Sequence, residues 1–72
     1  MELTLNKLPV NAQAIIISNT NTHLQYLGFV ANAKIRIVSK APFGGPIAVR
    51  ISDDTFALRQ IEAQQIYVEL LQ

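Results

Sequence analysis

The side chains able to do chemistry in this sequence are few. There is one histidine, His23, no cysteine, and five Asp or Glu residues. A ferrous site favours imidazole and carboxylate ligands converging on one point. His23 follows the polar run Ser18-Asn19-Thr20-Asn21-Thr22 with no second histidine, and reads as a surface or capping residue. Asp53-Asp54 is a candidate for weak cation binding, but Ser52-Asp53-Asp54-Thr55 has the composition of an Asx turn. No metal site is expected. One histidine in an unremarkable context does not build a Ser-His-acid constellation. Gly44-Gly45-Pro46 lacks the following Lys-Ser/Thr and the helix of a phosphate-binding loop. The residues therefore point away from an enzyme and from any cofactor.

What remains is binding chemistry. Leu24, Tyr26, Leu27 and Phe29 crowd one short stretch. On a single helical segment their side chains diverge around more than one face. Leu27 is expected to close the core, while Leu24 and Tyr26 are expected to face outward as apolar anchors. Phe29 at the helix exit belongs to the same candidate patch. Phe43, in the loop Ala41-Pro42-Phe43-Gly44-Gly45-Pro46, is a further candidate anchor. Lys34, Arg36 and Lys40, with Arg50 as an adjunct, are expected to form a basic stripe that steers an acidic protein partner. Net charge is only +1 and there are five aromatic residues. Small barrels that bind nucleic acid usually stack bases on aromatics, so nucleic acid is not expected.

The elements that position these groups follow from length and pattern. Seventy-two residues make one domain, residues 1–72, with half of the residues hydrophobic and 15% charged. That composition opposes disorder. No apolar run approaches the length of a membrane span. Met-Glu-Leu-Thr-Leu-Asn-Lys-Leu lacks the basic then apolar pattern of a signal peptide, so none is expected. Without cysteine, disulfides and thiolate metal sites are excluded.

Ala12–Ser18, with three isoleucines in a row, reads as a strand. Thr22-His23-Leu24-Gln25 has the form of a capping box and predicts a helix over Thr22–Leu27, stopped by Gly28 at positive φ. Lys34–Lys40 alternates, with Ile35 and Ile37 on one face and the cations on the other. A loop follows, then a strand carrying Ile47, Val49 and Ile51, a turn over Ser52–Thr55, and a return strand beginning Phe56-Ala57-Leu58. Arg59–Gln65 is suited to a single helical turn, and Ile66–Leu70 is the last strand. Val10-Asn11 and Ala31-Asn32 each precede a strand, and Asn is suited to a left-handed turn there. Five short strands and one short helix, between the first two strands, predict a small, strongly bent β-barrel. Its core is expected from Ile15 and Ile17 and from Ile35, Ile37, Ile47, Val49, Ile51, Leu58, Ile66 and Val68. Any apolar surplus would suit a partner or self-association into homo-oligomers.

The order of these features resembles the FeoA family over Leu3 to Glu69. Leu27-Gly28-Phe29 resembles the family's Leu-Gly-hydrophobe after its short helix. Ala41-Pro42-Phe43-Gly44-Gly45-Pro46-Ile47 resembles its Ala-Pro-Leu-Gly-Asp-Pro-Ile/Val loop. Thr55-Phe56-Ala57-Leu58-Arg59, Glu62-Ala63 and Ile66-Tyr67-Val68-Glu69 resemble its closing segment. Val10-Asn11 and Ala31-Asn32 stand where the family usually has Pro-Gly. The helix lacks the family's basic residues. Gly45 stands where the family has Asp, which is expected to loosen that loop. The resemblance implies an SH3-like barrel and a role as a cytosolic accessory protein of ferrous iron uptake. It also implies a partner, the FeoB membrane transporter with its GTP-binding domain, and recruitment to the inner face of the membrane by that partner, without insertion. A generic peptide- or nucleic-acid-binding module unrelated to iron is the alternative.

Overall fold

The computed structural model describes residues 2–71. Its strands are β1 (Glu2–Thr4), β2 (Gln13–Asn19), β3 (Lys34–Lys40), β4 (Ile47–Ile51), β5 (Asp54–Leu58) and β6 (Ile66–Leu70). A 3₁₀ turn, Leu5–Lys7, follows β1. Helix α1 (Thr22–Tyr26) joins β2 to β3, and α2 (Gln60–Ala63) joins β5 to β6. The strands form one antiparallel sheet in the order β1-β6-β2-β3-β4-β5. The five expected strands and the single turn before β6 are present. The sixth strand, β1, has only three residues, too few for a period to show, and it pairs with the edge of β6.

Two register shifts bend this sheet. One lies between Ile16 and Ser18 where β2 meets β6, the other between Ile37 and Ser39 where β3 meets β4. An extra residue on one strand increases local twist and turns the strand. The bend wraps the sheet around one core, and the alternation of β3, β4 and β6 puts Ile35, Ile37, Ile47, Val49, Ile51, Ile66 and Val68 inside it. Leu58 also joins the core as expected.

Strand β2 is out of phase with expectation. Ala14 and Ile16 are buried, whereas Ile15 and Ile17 are half-buried. A run of apolar residues has no internal phase, and a slip of one residue exchanges the faces. Leu5 and Leu8 from the 3₁₀ segment complete the core, and Phe29 meets Phe56 edge to face at 5.6 Å.

Both Asn turns take the left-handed backbone anticipated for them, Asn11 at φ 73 and Asn32 at φ 75. In each, the residue after Asn closes the turn: Ala12 N–H donates to the Pro9 carbonyl and Ala33 N–H to that of Val30, both at 3.1 Å. The Asn amides themselves donate outward, Asn11 to Ile37 and Asn32 to Ile16, which ties each turn to a neighbouring strand.

Candidate partner-binding site

Helix α1 starts at Thr22 as expected, but its cap is one residue earlier than the sequence pattern suggests. Asn21, not Thr22, is the cap: its side-chain oxygen accepts the Leu24 N–H at 3.0 Å. Its amide donates to Gln65 Oε1, and Gln25 Nε2 reaches back to the Asn19 carbonyl at 2.7 Å. The helix ends as expected. Gly28 at φ 109 donates to the Gln25 carbonyl, and Phe29 donates to that of Leu24. This pair of bonds closes the helix and drives the chain sharply inward.

That inward turn decides which apolar residues are available. Leu24, expected outside, is 2% exposed, and Phe29 is fully buried, so both are core residues rather than docking residues. Leu27, expected to close the core, is 40% exposed, and Tyr26 is 86% exposed. The inversion has a simple cause. Leu24 and Phe29 are the residues joined by the closing hydrogen bond, so they point into the same core while Tyr26 and Leu27 ride over it.

The basic residues divide in the same way. Lys34 and Arg36 face outward, and Arg36 is directly opposite Arg50 on β4 and Gln13 on β2. Lys40 does not share their face. The bulge in β3 reverses its phase, so Lys40 pairs with the core residue Ile47. Its Nζ donates to the Asn6 and Leu8 carbonyls, 3.0 Å each, and fastens β3 to the 3₁₀ segment. Lys40 is structural in this position, and Arg50 takes its place in the stripe.

Leu27 and Gly28 meet Lys34, Arg36 and Arg50 around an open groove of about 480 Å³, whose lining also includes Ile35, Ile51 and Asp54. The structure thus brings the helix exit and the basic end of the β3–β4 hairpin together. Phe43 is at the other end of that hairpin, roughly 20 Å away by strand rise from Lys34 to Lys40. It is fully exposed, at 105%. Phe43 at φ 59 and Gly44 at φ 74 form the tight turn closed by Gly45 N–H donating to Pro42. The loop is pinned rather than loose: the Gly45 carbonyl accepts from Gln60 Nε2, and a Cβ on Gly45 would lie 2.7 Å from that of Ala41.

His23, Asp53 and Asp54 are exposed. Among the described residues no group of three His, Cys, Asp or Glu side chains is placed to hold a metal ion. No described helix is long and apolar enough to cross a membrane.

A sequence model of the FeoA domain matches residues 3–70. Among solved structures, FeoA from Stenotrophomonas maltophilia in complex with zinc is 33% identical, with a TM-score of 0.81 over 93% of this chain and 89% of that one. It is described as a prokaryotic SH3-domain protein proposed to act as a bacterial ferrous iron transport activating factor. A FeoA-like protein from Clostridium acetobutylicum is 30% identical, with a TM-score of 0.89 over 99% of this chain and 88% of the other. Iron(II) transport protein A from Clostridium thermocellum is 32% identical, with a TM-score of 0.86 over 96% of this chain and 46% of the other. None of the curated proteins compared matches in sequence.

Proposed function

The chain belongs to the FeoA domain family, and from that premise we propose that it is a non-enzymatic cytoplasmic accessory protein of ferrous iron uptake. In this reading its partner is the cytosolic part of a FeoB-type membrane GTPase transporter, which recruits it to the membrane. The relatives described as an iron transport activating factor and as an iron(II) transport protein support the pathway. The protein acts by contact alone: it shifts the transporter's population toward one assembled or GTP-hydrolysing state. Iron passes through the partner, and neither His23 nor Asp53-Asp54 has a ligating role.

One observation supports the docking surface most directly. Tyr26 and Leu27 are left outside by the same helix stop that buries Leu24 and Phe29, and Leu27 lines one groove with the cations Lys34 and Arg36. Apolar anchors beside steering charges suit a protein partner. Phe43 supplies a separate apolar contact at the far end of the hairpin. The test is retention on the immobilised cytosolic domain of a FeoB-type transporter. Tyr26→Gln with Leu27→Gln is expected to abolish retention while the melting temperature stays within a few degrees. Undiminished retention of a folded double variant contradicts the assignment. Leu24→Gln is not a test, because a polar group placed in the core unfolds the domain.

A further inference from the structure

We propose that the groove between the α1 exit and the β3–β4 ladder receives a short acidic peptide segment, with Arg36 and Arg50 as carboxylate anchors and Leu27 as the apolar wall. The inference goes beyond the transporter reading, since it specifies the chemistry of the bound segment and stands whichever protein carries it.

Arg36 and Arg50 are direct partners across an antiparallel ladder. Like charges in that relation destabilise a sheet. The residues flanking the pair in the same row are neutral, Gln13 beyond Arg36 and Thr55 beyond Arg50. Among the described residues neither guanidinium, nor the Lys34 amine, has a hydrogen-bond or ion-pair partner. Asp54 also lines the groove, paired with Ile51 and one position out of phase with the Arg50–Thr55 pair, and no ion pair joins it to either arginine.

The nearest outward carboxylate in the adjacent row is that of Glu69. It is separated from Lys34 by the whole of β2, since Ile15 pairs with Glu69 on one side and Lys34 on the other. Two strand spacings amount to about 9–10 Å. Three cations thus converge on one groove against a single lining carboxylate, Asp54, which leaves the groove with a surplus of positive charge. Two adjacent guanidinium forks are matched by carboxylates, which they bind bidentately. The apolar side of the groove, Leu27 with Ile35 and Ile51, suits an aliphatic side chain between those carboxylates. A nucleic acid would need stacking aromatics, and neither exposed aromatic near the hairpin ends, Tyr26 or Phe43, lines the groove.

The test uses the whole chain, uniformly labelled with ¹⁵N, titrated with the acetylated and amidated pentapeptide Glu-Asp-Leu-Asp-Glu. Amide shifts are expected at Leu27–Gly28, Lys34–Arg36 and Arg50–Ser52. The neutral counterpart Gln-Asn-Leu-Asn-Gln is expected to bind at least about tenfold more weakly. Arg36→Glu or Arg50→Glu should abolish binding, while Lys40→Gln, across the bulge, should leave it intact. If charge reversal unfolds the chain, Arg36→Gln and Arg50→Gln serve instead. Each should lower affinity at least about fivefold without lowering the melting temperature, because each relieves the cross-strand repulsion. Equal binding of the neutral peptide overturns the proposal. So do shifts elsewhere on the surface, or tighter binding of a single-stranded RNA pentamer. Failure of the transporter pull-down would leave this peptide result untouched, so the two readings fail separately.

Discussion

The two ends of the β3–β4 hairpin are both exposed, yet they are built on opposite principles. At one end Lys34, Arg36 and Arg50 stand on the sheet beside Leu27, and the exit of α1 beneath Leu27 is anchored by the buried Leu24 and Phe29. At the other end Phe43 projects alone from a tight turn, in a left-handed backbone that a bulky residue rarely adopts. One surface is shaped by the core; the other is held out against its own conformational preference. The first can form a groove with defined chemistry. The second offers a single apolar contact.

Substitutions should separate the two ends by size of effect. The largest belongs to the groove end. Phe29→Ala removes the ring packed on Phe56 and should cost about 3–5 kcal/mol. That is comparable with the whole stability of a domain this small, so urea denaturation should find it largely unfolded. A variant that keeps a native-like midpoint would break the claim that the core shapes this end.

Next is Gly28→Ala. Gly28 at φ 109 is in contact range of Ile51 Cδ1, 4.0 Å from its would-be Cβ. The strain should cost about 1–3 kcal/mol, visible as a lower melting temperature and displaced amide shifts at Leu27. Smaller, and of opposite sign, is Phe43→Asn at the tip. Asn accepts left-handed backbone far better, so the melting temperature should hold or rise by the equivalent of about 1 kcal/mol. A clear loss of stability would mean that Phe43 packs against the fold after all.

The smallest effect is acid sensitivity at the tip side. Glu62 accepts the Arg59 backbone N–H at 2.8 Å, and this bond first, then the Arg59 side chain, holds its carboxyl below the usual carboxylate range. A depressed folded-state pKa stabilises above the ordinary carboxylate value, and the gain is lost as pH falls through the folded value. Helix α2 also carries Gln60, which holds the Gly45 carbonyl. Acidification should therefore loosen amide protection at Gly45 slightly before it touches Gly28, and Glu62→Gln should remove that difference.

Much of the architecture was legible because it rests on local chemistry. The Asn turns, the Gly28 stop and the alternation of β3 and β4 each follow from one or two residues. What was not legible depends on phase. Ile15-Ile16-Ile17 has no polar residue to mark its outer face, so Ile16 and not its neighbours is buried. Leu24 and Leu27 are equally apolar, and only the hydrogen bond from Phe29 to Leu24 decides between them. Lys40 continues the pattern of Lys34 and Arg36 in sequence, but a bulge at Val38, invisible in a list of residues, turns it to the other face. The same bulge explains why Arg50 was undervalued: its partner is fixed by register, not by proximity in the chain.

In the proposed function the transporter docks at the helix-exit end of the hairpin. This docking is tested most directly by adding the unlabelled cytosolic domain of a FeoB-type transporter to the ¹⁵N-labelled protein and mapping the amide shifts. Perturbation and broadening are expected at Tyr26–Gly28, Lys34–Arg36 and Arg50–Ser52, with any response at Phe43 appearing in addition to these. Perturbation confined to Ala41–Pro46, or none at saturating transporter domain, would contradict it.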